Sequence, residues 1–262
     1  MVSRATQAEL LEQRIAENVA SQEIDLATWI FERVQVQAGF RVLELCCGTG
    51  GQTLPLLERV GEAGQVVALD ISKAALNTLR SKTTAVNSDR LLAVEASLDN
   101  FSFALHEAGV RQAGFDLIFC AYGLYYAANA RITLQEARSW LKPRGNLAVV
   151  GPFGPNNRPL FDLLRASGVA LAQPVTFSSE RFMSQIVLPW GAENFEQLSV
   201  RTMVNPVRWT TPEKVLNYWQ NTTFYDAEKR SSFEELLNAH FVEHGTFINE
   251  KWVMLAEMSH GR

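Results

Sequence analysis

Arg41-Val42-Leu43-Glu44-Leu45-Cys46-Cys47-Gly48-Thr49-Gly50-Gly51 is the stretch on which the reading of this chain turns. It opens as an apolar run, the pattern of a strand buried on both faces. It then breaks into small residues and glycines. Gln52-Thr53-Leu54-Pro55-Leu56-Leu57-Glu58-Arg59-Val60 follows and reads as a helix, with Pro55 accommodated in its first turn. Strand, glycine-rich turn and helix open a nucleotide-binding βαβ unit. Glycine lets the backbone take positive φ and lets a ligand approach it closely. The first turn of the helix leaves N–H groups for an anionic partner.

Working outward, Gln65 to Asp70 reads as a second strand ending in an acid, 26 residues after Glu44. In nucleotide-binding α/β folds an acid at this place accepts hydrogen bonds from ribose hydroxyls. Asp70 also stands where a helix N-cap is wanted, but Ser72 can fill that role for the helix opened by Lys73-Ala74-Ala75-Leu76. Leu91 to Ser97 reads as strand three and Phe115 to Tyr122 as strand four with its exit. Leu141-Lys142-Pro143-Arg144-Gly145 is a punctuated turn into a fifth strand ending at Val150. Asp116 begins strand four, at the end away from a ligand, so a structural turn bond is expected of it.

The dinucleotide fingerprint G-x-G-x-x-G is incomplete here, and the Gly-Lys-Ser/Thr of a phosphate-binding P-loop is absent. Glu44-Leu45-Cys46-Cys47-Gly48-Thr49-Gly50 instead resembles motif I of the class I S-adenosylmethionine (SAM) methyltransferases, D/E-x-G-x-G-x-G, with Cys46 in place of the first glycine. Asp70, Phe115-Asp116-Leu117-Ile118 and Leu141 to Gly145 follow in the order of that family. The resemblance covers residues 41–150. It implies SAM as cofactor, with Glu44, Cys46, Gly48, Gly50, Asp70, Ile71, Ser97, Leu98 and Cys120 around it. Ser97 stands where the family carries an adenine-contacting acid. A neutral hydroxyl is the weaker acceptor there, and Asp99 is the alternative. The Cys-Cys-Gly-Thr-Gly wording is similar to ubiquinone and menaquinone C-methyltransferases. Tyr122-Gly123-Leu124-Tyr125-Tyr126 does not continue that likeness, so their substrate is not carried over.

The family implies an α/β, doubly wound, seven-stranded and mostly parallel sheet with an antiparallel last strand. It also implies N-terminal helices and a helical cap inserted before the last two strands. On this reading residues 1–262 are one methyltransferase domain: N-terminal helices in 1–36, a SAM-binding core in 37–152, substrate-cap segments in 153–192 and 210–245, and C-terminal strands in 195–208 and 246–258. Helices are expected over Ala8–Val19 and Gln22–Val34, near 159–172 and 178–188, after a Thr210-Thr211-Pro212-Glu213 capping box, and near 226–243.

Composition narrows the function. With 47% hydrophobic residues in 262, the chain can bury a sizeable core. The net charge is −4, from 24 basic and 28 acidic side chains, and no basic stripe points to nucleic acid. No apolar run approaches the roughly 18 residues of a membrane helix. The N-terminal residues carry no apolar signal region, so a cytoplasmic protein is expected. Three cysteines make no disulfide framework, and no histidine or carboxylate accompanies them at metal-ligand spacing.

Methyl transfer from SAM is an in-line displacement, so the protein's first task is to hold the nucleophile against the methyl group. Tyr122, Tyr125 and Tyr126 follow strand four, where the walls of such a site belong, and are the candidates for touching the acceptor. No general base stands out. His106 lies in the helix after strand three. His240 and His244, four residues apart, lack a third ligand, and His260 lies near the C-terminus. Phe161, Phe177, Phe182, Trp190, Trp209, Tyr218, Trp219, Phe224 and Tyr225 suggest a small apolar or aromatic acceptor, with O-methylation favoured. The rival readings are a non-catalytic SAM-binding scaffold and a nicotinamide-dependent oxidoreductase. The second lacks a hydride-site constellation such as Tyr-x-x-x-Lys.

Overall fold

The computed structural model describes residues 8–83 and 88–260. Its sheet has seven strands in the order β3-β2-β1-β4-β5-β7-β6: β1 Arg41–Leu45, β2 Gln65–Asp70, β3 Leu91–Glu95, β4 Phe115–Ala121, β5 Leu141–Pro152, β6 Gln197–Trp209 and β7 Phe247–Ser259. The pairs β1–β2, β1–β4, β2–β3 and β4–β5 are parallel, and the last strand of the sheet is antiparallel. The order reverses between β1 and β4, which makes a switch point at their carboxyl ends.

The chain divides into two compact units. One comprises residues 26–151, 183–201 and the chain from Met254 onward. The other comprises the chain up to Asp25, Pro152–Phe182 and Thr202–Val253. In the first, Val42, Leu43, Val66, Val67, Ala68, Ile118 and Phe119 are wholly buried, as strands covered on both faces require. Helices α3 (Thr53–Val60), α4 (Lys73–Lys82), α5 (Phe101–Glu107) and α6 (Ala130–Trp140) alternate with these strands. Helix α3 puts Leu56, Leu57 and Val60 into the core. Asp116 ties the far end of the sheet: its carboxylate accepts from the Arg41 N–H at 2.8 Å and from Lys142 Nζ at 2.7 Å. The expected turn at residues 142–145 is a bulge in β5, since Leu141 pairs with Phe115 and Asn146 with Leu117. Gly145 is required there, because a Cβ would lie 2.7 Å from the Phe115 carbonyl oxygen.

The second unit has α1 (Ala8–Ser21), α7 (Arg158–Ala166), α8 (Gln173–Glu180), α10 (Pro212–Gln220) and α11 (Arg230–His244). Its core gathers Leu160, Phe161, Val207, Trp209, Val215, Tyr218, Trp219, Phe233, Leu237 and Phe247. Two further short helices are α2 (Leu26–Phe31) and α9 (Leu188–Asn194), both in the first unit.

Three local expectations change. The helix read over Gln22–Val34 begins only at Leu26, because Gln22 bridges Val207 and the Ile24 N–H is taken by Asn205 Oδ1. The capping box does not form: Thr211 is the N-cap, held extended before Pro212 at the first helical position, its side chain makes no capping hydrogen bond, and Lys214 rather than Glu213 stands at the third helical position. The late strands run over 197–209 and 247–259, each a little beyond the expected ends.

Candidate cofactor site at the switch point

The site is built mostly by backbone. Cys46, Gly48 and Gly50 all have positive φ, at 58°, 53° and 92°. The left-handed turn therefore starts where the motif's first glycine stands, although the residue is cysteine. Gly50 also has a packing reason: a Cβ would lie 2.5 Å from Leu79 Cδ1 on α4. The Cys47 N–H donates to the Leu69 carbonyl and the Gly50 N–H to the Cys47 carbonyl, which fixes the turn against β2.

Asp70 is the hinge pin of two loops. One carboxylate oxygen accepts from the Gly48 N–H at 2.8 Å, the other from the Ser72 N–H at 2.8 Å. Ser72 caps α4 with its own hydroxyl, accepting from the Ala75 N–H. The cap is thus Ser72, and the Asp70 carboxylate is not spent on that role. Burial raises the Asp70 pKa, and the N–H groups of Ser72, Gly48 and Ile71 pull against that. Ile71, next along the loop, is 48% exposed, an unusual solvation for an isoleucine and a ready apolar face for a flat ring.

Glu44 lies beneath the turn. It is 2% exposed, and its carboxyl accepts from the Thr53 hydroxyl at 2.6 Å. Burial pushes its pKa up to about 8, the Thr53 hydrogen bond opposes this, and the nearby Asp70 charge adds to it. Thr53, the first residue of α3, is the partner the sequence reading missed; a hydroxyl opening the helix after a buried acid was its only signal.

The loop after β3 is self-contained. Ser97 donates both its N–H and its hydroxyl to Asn100 Oδ1, at 3.0 and 2.9 Å, leaving the hydroxyl oxygen as an acceptor. Leu98 is buried, 6% exposed. Asp99 accepts from the Ala128 N–H at 2.9 Å, which commits one of its oxygens to tying this loop to the start of α6.

At the end of β4, Cys120 is 1% exposed and Tyr122 has φ 56°, a left-handed conformation that a bulky residue rarely adopts. Its N–H is held by the Val150 carbonyl. Tyr125 and Tyr126 stack at 4.7 Å within the 3₁₀ turn Leu124–Tyr126. The structure thus brings Glu44, Cys46, Gly48, Gly50, Asp70, Ile71, Ser97, Leu98 and Cys120 to the carboxyl ends of β1–β4, and the three tyrosines to the turn that leaves β4. The histidines are placed elsewhere by their own contacts. His106 packs tilted against Trp140, His240 bonds the Thr246 carbonyl, His244 packs tilted against His240, and His260 stacks on Phe195. Among the described residues no group of three His, Cys, Asp or Glu side chains could hold a metal ion. No described helix is long and apolar enough to cross a membrane.

Most of the aromatic residues counted toward a substrate pocket are core. Phe161, Phe182, Trp190, Trp209, Tyr218 and Trp219 are each no more than 4% exposed. Only Phe177, Phe224 and Tyr225 remain partly accessible.

Residues 42–145 match the family described as a methyltransferase domain. A demethylmenaquinone methyltransferase of Lactobacillus johnsonii is 30% identical over 48% of this chain and 50% of its own length. The chain thus spans about half the length of the curated relatives it matches. Among solved structures, the YcgJ protein of Bacillus subtilis aligns over 90% of this chain and 98% of its own, at 14% identity and a TM-score of 0.60. A SAM-dependent methyltransferase from Aquifex aeolicus aligns over 68% and 82%, at 16% identity and a TM-score of 0.51. At such identities the structural likeness speaks for the fold. With the methyltransferase-domain match over residues 42–145 and the order of the sheet, the chain has the Rossmann-like fold of these methyltransferases.

Proposed function

We propose that the chain transfers a methyl group from SAM to a small apolar or aromatic molecule, and that the acceptor atom is a hydroxyl oxygen. The observation that carries the cofactor half is the Gly48–Asp70–Ser72 junction, which ties the glycine turn to the acid-ended strand and leaves carboxylate lone pairs at the mouth of the turn. The residues fit the cofactor group by group. The turn at Gly48 and Gly50 lets the backbone come close, Asp70 accepts from ribose hydroxyls, the exposed Ile71 and the Ser97 oxygen frame the adenine, and Glu44 sits beneath the cationic end. SAM supplies an activated methyl on a good leaving group. The chain's task is then to hold the acceptor in line with it, and Tyr122, Tyr125 and Tyr126 are the side chains assigned to that.

The acceptor class rests on less. Relatives named for a menaquinone precursor match over about half of this chain, and the methyltransferase-domain match covers residues 42–145, outside residues 153–192 and 210–245, to which we assign acceptor selection. An acidic phenol or enol suits a site with no histidine base, because it ionises near neutrality without help. The test is methyl-labelled SAM with a panel of phenols, quinols and naphthoquinols, the label being located in the product by NMR. Label on oxygen supports the reading. Label on carbon overturns the oxygen assignment while keeping the enzyme. SAM binding without turnover on any acceptor would favour the scaffold reading.

A further inference from the structure

Two features left unused by methyl transfer meet at one place, the thiols of Cys46 and Cys120. Leu45 of β1 pairs in register with Cys120 of β4, so Cys46 is the next residue beside it, across adjacent parallel strands. Such neighbours fall within the Cα spacing that a disulfide spans. Both side chains converge on Gly123. A Cβ there would lie 2.2 Å from Cys46 Cβ, 2.6 Å from Cys46 Sγ and 3.5 Å from Cys120 Sγ. Both sulfurs thus lie beside the one position at Gly123 where a side chain is missing. Cys46 is the less covered residue of the two, so the turn that carries it is the side from which a reagent must enter, and its buried thiol must open to be reached. Cys47 is turned away, its thiol directed at the Gly48 carbonyl at 3.7 Å.

We propose that Cys46 and Cys120 form a dithiol modification site that a small disulfide closes to an intramolecular disulfide, and that closure weakens cofactor binding. In the first step the Cys46 sulfur attacks oxidised glutathione. The Cys46–S–S–glutathione bond forms, the S–S bond of the reagent breaks, and one glutathione thiol leaves with the proton. In the second step Cys120 attacks the Cys46 sulfur, forming Cys46–S–S–Cys120 and releasing the second glutathione thiol. Two protein thiols are oxidised and one disulfide is reduced.

Closure must draw the two sulfurs to about 2.05 Å. Cys46 cannot make that move alone. Its left-handed backbone opens the glycine turn, and its side chain fills the space beside Gly123. The Cys120 hydrogen bond and burial hold the Cys46 thiol protonated well above the usual range, so exchange is slow and is driven by long incubation at mildly alkaline pH.

The consequence for binding rests on the cofactor reading; the bond itself does not. The intact protein is equilibrated with oxidised glutathione, alkylated under denaturing conditions and mapped by mass spectrometry. Free thiols should fall from the three of the sequence to one, with Cys46 and Cys120 in one cross-linked peptide pair. Cys120→Ala and Cys120→Ser should give a Cys46–glutathione mixed disulfide and no internal bond. A Cys46–Cys47 link, or three intact thiols, would overturn the proposal. Calorimetry with S-adenosylhomocysteine should show affinity about tenfold weaker after oxidation, as for a ligand-holding loop displaced by about an ångström, with recovery in dithiothreitol. Equal affinity in both states would overturn the functional half. No binding even to the reduced protein would strike the cofactor reading and leave the dithiol assignment to the peptide map.

Discussion

Residues 26–151 and residues 152–253 solve different problems with different parts of the amino-acid alphabet. In the first stretch the important positions are small or polar, and the backbone shapes the candidate site: a turn of positive φ at Cys46, Gly48 and Gly50, and a carboxylate pinned by two N–H groups. In the second, large rings pack on each other. Trp219 meets Phe233 at 4.6 Å and Trp209 meets Tyr218 at 5.1 Å, both tryptophans wholly buried. A backbone-made site leaves a spaced motif. An aromatic core leaves only composition, and composition does not distinguish a ring that packs from a ring that waits for a substrate.

The largest expected effect probes the second stretch. Trp219→Ala removes a fully buried ring and should cost about 3–5 kcal/mol, read by urea denaturation. The comparison is sharpened if S-adenosylhomocysteine still binds to the folded fraction. It breaks if cofactor affinity falls in proportion to stability, or if the cost is under about 1 kcal/mol.

Next comes Asp70→Ala, which removes the charged acceptor assigned to the ribose and releases the Gly48 and Ser72 N–H groups. Loss of a hydrogen bond to a charged group is worth about 1.5–3 kcal/mol, so calorimetry should show SAM binding roughly 10- to 150-fold weaker. Unchanged affinity would mean that Asp70 serves only to hold the loops together.

A smaller effect, spread over pH, comes from Glu44. Its folded value of about 8 stands above the ordinary 4.5. Between those two values the unfolded chain has lost a proton that the folded chain keeps. The favourable contribution is therefore fully present below pH 4.5 and is lost as pH rises through 8. The slope is about 1.4 kcal/mol per pH unit inside that window, or roughly 3–6 °C in Tm per unit for a chain of this size. Asp70, also raised, acts with the same sign. Glu44→Gln should flatten the profile; a variant as pH-sensitive as the parent would place the effect elsewhere. The smallest change is Ser97→Ala, which gives up one neutral acceptor. It should weaken S-adenosylhomocysteine by about 0.5–1.5 kcal/mol. No change would favour Asp99 or backbone groups at the adenine.

The fold of the first half was legible because each signal there is local. A buried strand needs an apolar run, a left-handed turn needs glycine, and a helix start needs a cap such as Ser72. The motif also predicted which loops meet, since the strand order follows from the family. Partnership inside the site was less legible. That Asp99 serves the Ala128 N–H, that Thr53 bonds Glu44, and that Cys46 takes a glycine's backbone conformation depend on side-chain directions that spacing does not encode.

The sequence by itself determined the buried strands, the glycine turn and the acid at the end of β2, because apolar runs, backbone sterics at glycine and a helix cap are local signals; the parallel order of the strands came with the family resemblance. Only the tertiary structure decided the rest. It sent six of nine aromatic residues to cores, and it delayed the helix start to Leu26 by spending the Ile24 N–H on Asn205. It also joined Lys251 Nζ to Asn157 and to the Tyr218 hydroxyl at 2.6 Å each, across 94 and 33 residues. Such contacts are chosen by which surfaces the whole chain must bury at once, and no local pattern carries that information.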